Sequence, residues 1–140
     1  MKILIAADGS RYTKRMLAYL AAHDELFGPQ HQYTVVCGVL AVPHRAAAFA
    51  DAAMVKGYYA DDAETVFRPI RSFLQKQGIE ARYVHKVGHP ARTIAKLAVS
   101  GRFDLLVMGS HGHGALANLV LGSVATQVLA MCSTPVLLVR

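Results

Sequence analysis

Gly109-Ser-His-Gly-His-Gly-Ala-Leu-Ala-Asn-Leu-Val-Leu-Gly-Ser-Val124 is the stretch on which the reading of this chain turns. It follows an apolar run, Leu105 to Met108, and leads into a helix-like run, Ser123 to Met131, so its glycines stand where a strand feeds a helix. Glycine has no Cβ, tolerates positive φ and lets a ligand come close to the main chain. Successive amides in such turns form a concave nest of N–H donors suited to an anion. Gly122-Ser123 then opens a helix whose first N–H groups lack intrahelical acceptors and carry the positive end of the helix dipole. Phosphate oxygens satisfy both requirements, and a strand that passes to a helix in this way is the unit of an α/β sheet.

Outward from this stretch the same alternation recurs. Lys2 to Ala7 is nearly all apolar and ends at Asp8-Gly9, the pattern of a central parallel strand with a tight turn at its carboxyl end. A helix is expected from about Tyr12 to Leu26, with Met16 and Leu20 on one face, closed by Gly28-Pro29. Tyr33 to Leu40 reads as a second buried strand. Ala41 to Tyr59 is alanine-rich without a firm period and reads as a mobile loop with a short helix, or as a weak helix packed on the sheet. Asp61 with Glu64 resembles a capping box and predicts a helix to Gln77, broken or kinked at Pro69 and closed by Gly78.

In Ile79 to Val87, Ala81, Tyr83, His85 and Val87 alternate with Glu80, Arg82 and Lys86, which predicts an edge strand with one charged face. Pro90 suits the first turn of a helix through about Ser100. Phe103 to Met108 and Pro135 to Val139 are the fourth and fifth strands, with the glycine loop and a helix from Ser123 to Cys132 between them. The reading is one α/β domain over residues 1–140 with a parallel sheet and right-handed crossovers.

The bulk properties narrow the function classes. The chain has 140 residues, 54% hydrophobic and 17% charged, which excludes disorder and fits a sheet buried on both faces. Its most apolar stretch, Ala115 to Cys132, is interrupted by Asn118, Gly122, Ser123, Thr126 and Gln127, so no membrane span is expected. The apolar run before Asp8 is too short for a secretory signal. Cys37 and Cys132 show no metal-ligand spacing and read as buried thiols in a reducing cytoplasm. The formal charge of +6 favours anionic partners. Of the basic residues only Arg11, Lys14 and Arg15 cluster, and no basic stripe with aromatics is present, so a small anion is favoured over nucleic acid.

The spacing Gly109-x2-Gly112-x9-Gly122-Ser123 is neither a Walker A loop nor the GxGxxG of a dinucleotide fold. It resembles the signature of the universal stress protein family, in the subgroup associated with ATP. Further positions agree: Asp8-Gly9-Ser10 with Thr13, Gly88-His89-Pro90-Ala91 with Ile94, Gly122-Ser123-Val124-Ala125, and Pro135 to Val139. The chain departs from the family at Asn118, where a basic residue is frequent, and at His113, where arginine is frequent. The resemblance implies a doubly wound five-stranded parallel sheet of order 3-2-1-4-5 with helices on both faces. Asp8 and Gly109 would then face each other where the strand order reverses, the crevice in which open α/β sheets bind ligands.

On this reading Asp8 holds a magnesium ion or a ribose hydroxyl, unless it merely caps the following turn, and Ala7 and Asp8 add main-chain contacts. Gly109, Gly112, Gly122, Ser123 and Val124 take the phosphates, unless the three glycines merely serve turns; the joint spacing with Ser123 favours phosphate. His111 and His113 flank Gly112 and can donate to phosphate when protonated, tightening binding below about pH 6.5; they lack the i, i+4 spacing of a helical metal pair. Val39, Leu40 and Met108 form apolar walls for adenine or belong to the core. Tyr12, Tyr58 and Tyr59 can touch a base or partner, with surface or core packing as the favoured alternative.

The implied function is that of an ATP-binding regulatory protein of the stress response, with magnesium as accompanying ion and a ligand-linked change of surface. The resemblance also implies a homodimer through the last strand. The alternatives are a slow ATPase or phosphotransferase on the same site, and a nucleotide-free interaction module. Fast chemistry is disfavoured by the absence of a P-loop lysine and of a second acidic metal ligand.

Overall fold

Ile3, Leu4 and Ile5 have no exposed surface, which places the first strand, β1 (Lys2–Ala6), in the middle of a sheet covered on both faces. The computed structural model describes residues 1–114, 116 and 118–140; Ala115 and Ala117, within the glycine stretch and the apolar run that overlaps it, lie outside the described residues. After β1 come α1 (Arg11–Ala22), α2 (Asp24–Phe27), β2 (Gln32–Val39), α3 (His44–Ala47), α4 (Ala52–Lys76) and β3 (Ala81–Val87). The chain continues through α5 (Pro90–Ser100), β4 (Leu105–Gly109), α6 (Ser123–Met131) and β5 (Val136–Val139). All strand pairs are parallel and the order is β3-β2-β1-β4-β5, so the order reverses between β1 and β4 as expected.

Alternate side chains of the inner strands feed two cores, as the pleat requires. On one face Ile3, Ile5, Val35 and Val107 meet Met16 and Leu20 of α1 and Phe67, Ile70 and Leu74 of α4. On the other, Leu4, Ala6, Val36 and Leu106 meet Ala91, Ile94 and Ala98 of α5 and Ala125 and Val128 of α6. Helices therefore lie on both faces. Gly9 has φ +77, a left-handed turn that lets β1 pass into α1 without the penalty a side chain would carry. Ser10 caps α1 by accepting from Tyr12 N.

The helices differ from the sequence expectations in three places. The first ends at Ala22, because the His23 ring bonds to the Tyr19 carbonyl at 2.8 Å and the chain turns into the separate α2. The fourth begins at Ala52 rather than near Asp61. Asp51 caps it by accepting from Met54 N at 2.7 Å, while Glu64 is drawn away from any capping role by Arg71 at 2.6 Å. Its first eleven residues are almost entirely exposed, so they carry no apolar period for a sequence reading to find. Pro69 neither breaks nor ends α4; it sits on the exposed side, between buried Phe67 and Ile70.

β3 is the edge strand expected, but its alternation is incomplete. Tyr83 is covered by Phe67 with ring centroids 5.3 Å apart, whereas His85 and Val87 are exposed where the strand runs toward its open carboxyl end.

Candidate functional site

β1 and β4 are neighbours in register Ala6 to Met108, so the residues that follow them, Ala7-Asp8 and Gly109-Ser110, emerge side by side at the carboxyl edge of the sheet. Asp8 is held by what comes after it. Its Oδ1 accepts from Ser10 N at 2.9 Å and from Thr13 Oγ1 at 3.0 Å, and its own N–H donates to Thr13 Oγ1 at 3.2 Å. Half of the carboxylate therefore works as a turn cap. The other oxygen, Oδ2, has no partner among the described residues and lies against Gly112, where an added Cβ would come within 2.6 Å of it.

The glycine loop is fastened at several points. Ser110 N donates to Val139 O at 2.8 Å, and Ser110 O accepts from Gly122 N at 2.8 Å, which brings the start of α6 to the end of β4. His111 Nε2 faces the Leu119 carbonyl at 2.8 Å and must carry the proton there; in the neutral ring Nδ1 then accepts from Ser110 Oγ at 2.9 Å. His113 Nε2 donates to the Asp8 carbonyl at 2.7 Å. The two histidines thus serve first as staples within the loop. Both ring nitrogens of His111 are engaged, and its ring stacks on Tyr12 at 5.0 Å.

The loop glycines have a different basis from the one the sequence suggests. Among the described residues positive φ occurs at Gly9, Gly78, Gly88 and Arg102, and not at Gly109, Gly112 or Gly122. What these three supply is close approach. A Cβ at Gly109 would meet the Tyr12 Cβ at 2.7 Å, and one at Gly122 would meet the His111 Cα at 3.0 Å. Gly122 is also the N-cap of α6 and offers no side chain, so the amides of Ser123, Val124 and Ala125 have no acceptor among the described residues. They form a helix N-terminus open to an anion, at the end of the loop whose Gly112 lies against Asp8 Oδ2.

The apolar candidates separate. Val39 and Met108 are 2% and 5% exposed and belong to the two cores on opposite faces of the sheet. Leu40 is 71% exposed and lines a cavity of about 590 Å³ with Val42, Met54 and Tyr58. Tyr12 packs beneath the loop, and the Tyr59 hydroxyl accepts from Val42 N at 2.9 Å. Cys37 is buried in β2, and burial pushes its thiol up to about 11, with smaller contributions from Asp62 and then Asp8. No group of three His, Cys, Asp or Glu side chains among the described residues is arranged to hold a metal by itself. No described helix is long and apolar enough to cross a membrane.

Sequence reasoning gave no part to Ser110, which has no exposed surface, or to the ring pairing of His111 with Tyr12. It also missed Arg140, which joins Arg11 and Arg15 around a second cavity of about 300 Å³. No local pattern signals these contacts, since their partners come from distant segments.

Comparison with known proteins agrees with this architecture. The model of the universal stress protein family matches residues 1–140. The chain belongs to the universal stress protein family. A universal stress protein of Thermus aquaticus is 33% identical over 142 residues, covering 99% of this chain and 97% of that protein. The universal stress protein Slr1230 of Synechocystis is 30% identical over 99% of this chain, which spans only 42% of the length of that relative. Among solved structures, the protein MJ0577 of Methanocaldococcus jannaschii superposes with a TM-score of 0.81 at 26% identity, covering 99% of this chain and 94% of that one. Two universal stress proteins share the fold at lower identity. One, solved with cAMP, has a TM-score of 0.71 at 20% identity, covering 100% of this chain and 97% of that one. The other, from Archaeoglobus fulgidus with dAMP, has 0.70 at 22%, covering 100% and 98%.

Proposed function

We propose that this universal stress protein binds an adenine nucleotide, ATP foremost, in the crevice between the ends of β1 and β4 and acts as a ligand-linked regulatory switch. The observation that carries the reading is the α6 amides of Ser123 to Ala125, without an acceptor among the described residues, together with the half-engaged carboxylate of Asp8 at the point where strand order reverses. That relatives of the same fold were solved with cAMP and dAMP supports an adenine nucleotide as the ligand class.

In this reading the phosphates lie on the amides of Ser123 and Val124, against Gly109, Gly112 and Gly122, whose lack of side chains leaves the approach open. The nucleoside lies by Ala7, Asp8 and the exposed Leu40, with Val39 and Met108 contributing main chain. Magnesium fits as an ion held by Asp8 Oδ2, phosphate oxygens and water, the usual arrangement for an ion that keeps several waters. Such a ligand would compete with the bond from His113 to the Asp8 carbonyl. It would so alter the exposed loop residues Leu116, Leu119 and Val120 and the surface from Ala41 to Tyr59. The edge position of β5 supports pairing of two copies through this strand, and unpaired thiols at Cys37 and Cys132 fit a cytoplasmic setting.

The test is a calorimetric titration of nucleotide-stripped protein with ATP and AMP, with and without magnesium. Micromolar binding that weakens from ATP to AMP is the expected result. A folded Gly122→Val protein should lose most of that affinity. Undiminished affinity in this variant would remove the phosphate site from the glycine loop, and no binding of any adenine nucleotide would leave the interaction-module alternative.

A further inference from the structure

Arg11 and Arg15, one turn apart on α1, and Arg140, just past β5, converge on the cavity of about 300 Å³ beside the glycine loop. Like charges at i and i+4 repel and weaken a helix unless something offsets them. No side-chain carboxylate lines this cavity, and the one salt bridge among the described residues, Arg71 to Glu64, lies in α4. The three arginines therefore bring positive charge to one concave surface that no Asp or Glu side chain lines.

The cavity is also firmly built. The guanidinium carbons of Arg11 and Arg15 stand 5.0 and 5.5 Å from the centre of the Tyr12 ring, and Arg11 Nη2 donates to the Tyr12 hydroxyl at 3.2 Å. Tyr12 is only 8% exposed, is pressed against Gly109, and stacks on His111. His111 in turn is fixed through both ring nitrogens, one of them by the buried Ser110 hydroxyl. The arginine heads stand on a platform whose position is set by the core.

We propose that this cavity is a second anion site, on the α1 side of the glycine loop, that takes a phosphoryl group through the forks of Arg11, Arg15 and Arg140. Guanidinium matches phosphate oxygens in paired hydrogen bonds, which a scattered set of lysines would not do. The volume is at the small end of the range of about 300–1,000 Å³ for small-molecule pockets, so it suits phosphate or pyrophosphate rather than a whole nucleotide. Asp8, Gly112, Gly122, Ser123 and Val124 do not line it. The site therefore does not depend on that reading, although Ser110 and His111, which line it, belong to the same loop as Gly109, Gly112 and Gly122.

The phosphoryl group can be free inorganic anion or the end phosphate of a nucleotide held in the crevice, and one experiment separates these sources. Inorganic pyrophosphate is titrated calorimetrically into the full chain, alone, in saturating ATP and in saturating AMP, for the wild type and Arg15→Gln/Arg140→Gln. Both arginines are exposed, so the double variant should keep its thermal midpoint, and this is checked first. The expected result is pyrophosphate binding that falls at least ~10-fold in the arginine variant, the effect of about one lost charge-assisted bond. Binding that persists in saturating ATP identifies the free anion, and binding abolished by ATP but not by AMP identifies the nucleotide tail. Either supports the site. Pyrophosphate affinity unchanged in the arginine variant, or no pyrophosphate binding in the wild type, overturns it, whatever the outcome for ATP.

Discussion

The ring of His113 donates from Nε2 to the main-chain carbonyl of Asp8 across 2.7 Å, joining residues 105 positions apart. This bond ties the glycine loop to the end of β1. It is exposed, so its net contribution is of the order of 0.5–1.5 kcal/mol. His113→Ala should lower stability to chemical denaturation by no more than about 1 kcal/mol and increase amide exchange from His111 to Val120. Exchange rates unchanged in that segment would show that the bond does not hold the loop.

Asp8 has two separable duties. Asp8→Ala removes the acceptor of Ser10 N and Thr13 Oγ1 and should cost about 1 kcal/mol, as lost caps do. Asp8→Asn keeps an acceptor at Oδ1 and should stay within about 0.5 kcal/mol of the wild type, while losing the magnesium-dependent part of ATP affinity. Equal ATP affinity with and without magnesium in both wild type and Asp8→Asn would assign Asp8 to capping alone.

Gly109 and Gly112 should respond differently to alanine. At Gly109 the new Cβ meets the Tyr12 Cβ at 2.7 Å and the His111 carbonyl at 3.2 Å, groups fixed in the core and main chain, so a loss of about 1–3 kcal/mol is expected. At Gly112 the obstacle is Asp8 Oδ2, an exposed carboxylate oxygen that can shift only by disturbing the Oδ1 bonds to Ser10 N and Thr13 Oγ1. Gly112→Ala should cost no more than the loss of that cap, about 1 kcal/mol, and weaken ATP binding. Urea denaturation and calorimetry on both variants check the contrast.

Pro69 sits on the exposed side of α4, inside an uninterrupted helix, and cannot supply its backbone N–H to the preceding turn. Pro69→Ala should therefore stabilise the protein by about 1–3 kcal/mol, measured by urea denaturation. A loss of stability would mean that the helix depends on a bend at this position.

Burial pushes the Cys37 thiol from 9.0 up to about 11 and the Tyr33 hydroxyl from 10.0 up to about 12. Both folded values lie above the unfolded ones, so the folded chain keeps protons that the unfolded chain gives up. The associated stability is complete below pH 9 and is lost as pH rises through 11 for Cys37 and through 12 for Tyr33. Each pH unit in these windows costs about 1.4 kcal/mol per group. Unfolding free energies at pH 8, 10 and 11 should fall accordingly, and Cys37→Ala should flatten the part that begins near pH 9.

The sequence by itself determined the α/β class, the five strands and the glycine-rich passage from strand to helix. Those follow from local rules: apolar runs bounded by turn residues, Pro90 in a first turn, and Gly122-Ser123 opening a helix. The family resemblance supplied the strand order, which no local pattern contains. Only the tertiary structure decided what the loop residues do. His111 and His113 carry no mark in the chain that their protons go to the Leu119 and Asp8 carbonyls, and the three loop glycines look like turn glycines until Tyr12, Asp8 and His111 are seen against them. The early turns of α4 were illegible for the opposite reason, since a helix that buries no face leaves no period in its sequence. Arg11, Arg15 and Arg140 line one cavity because α1 begins and β5 ends at the same rim of the sheet, a closeness that chain order does not encode.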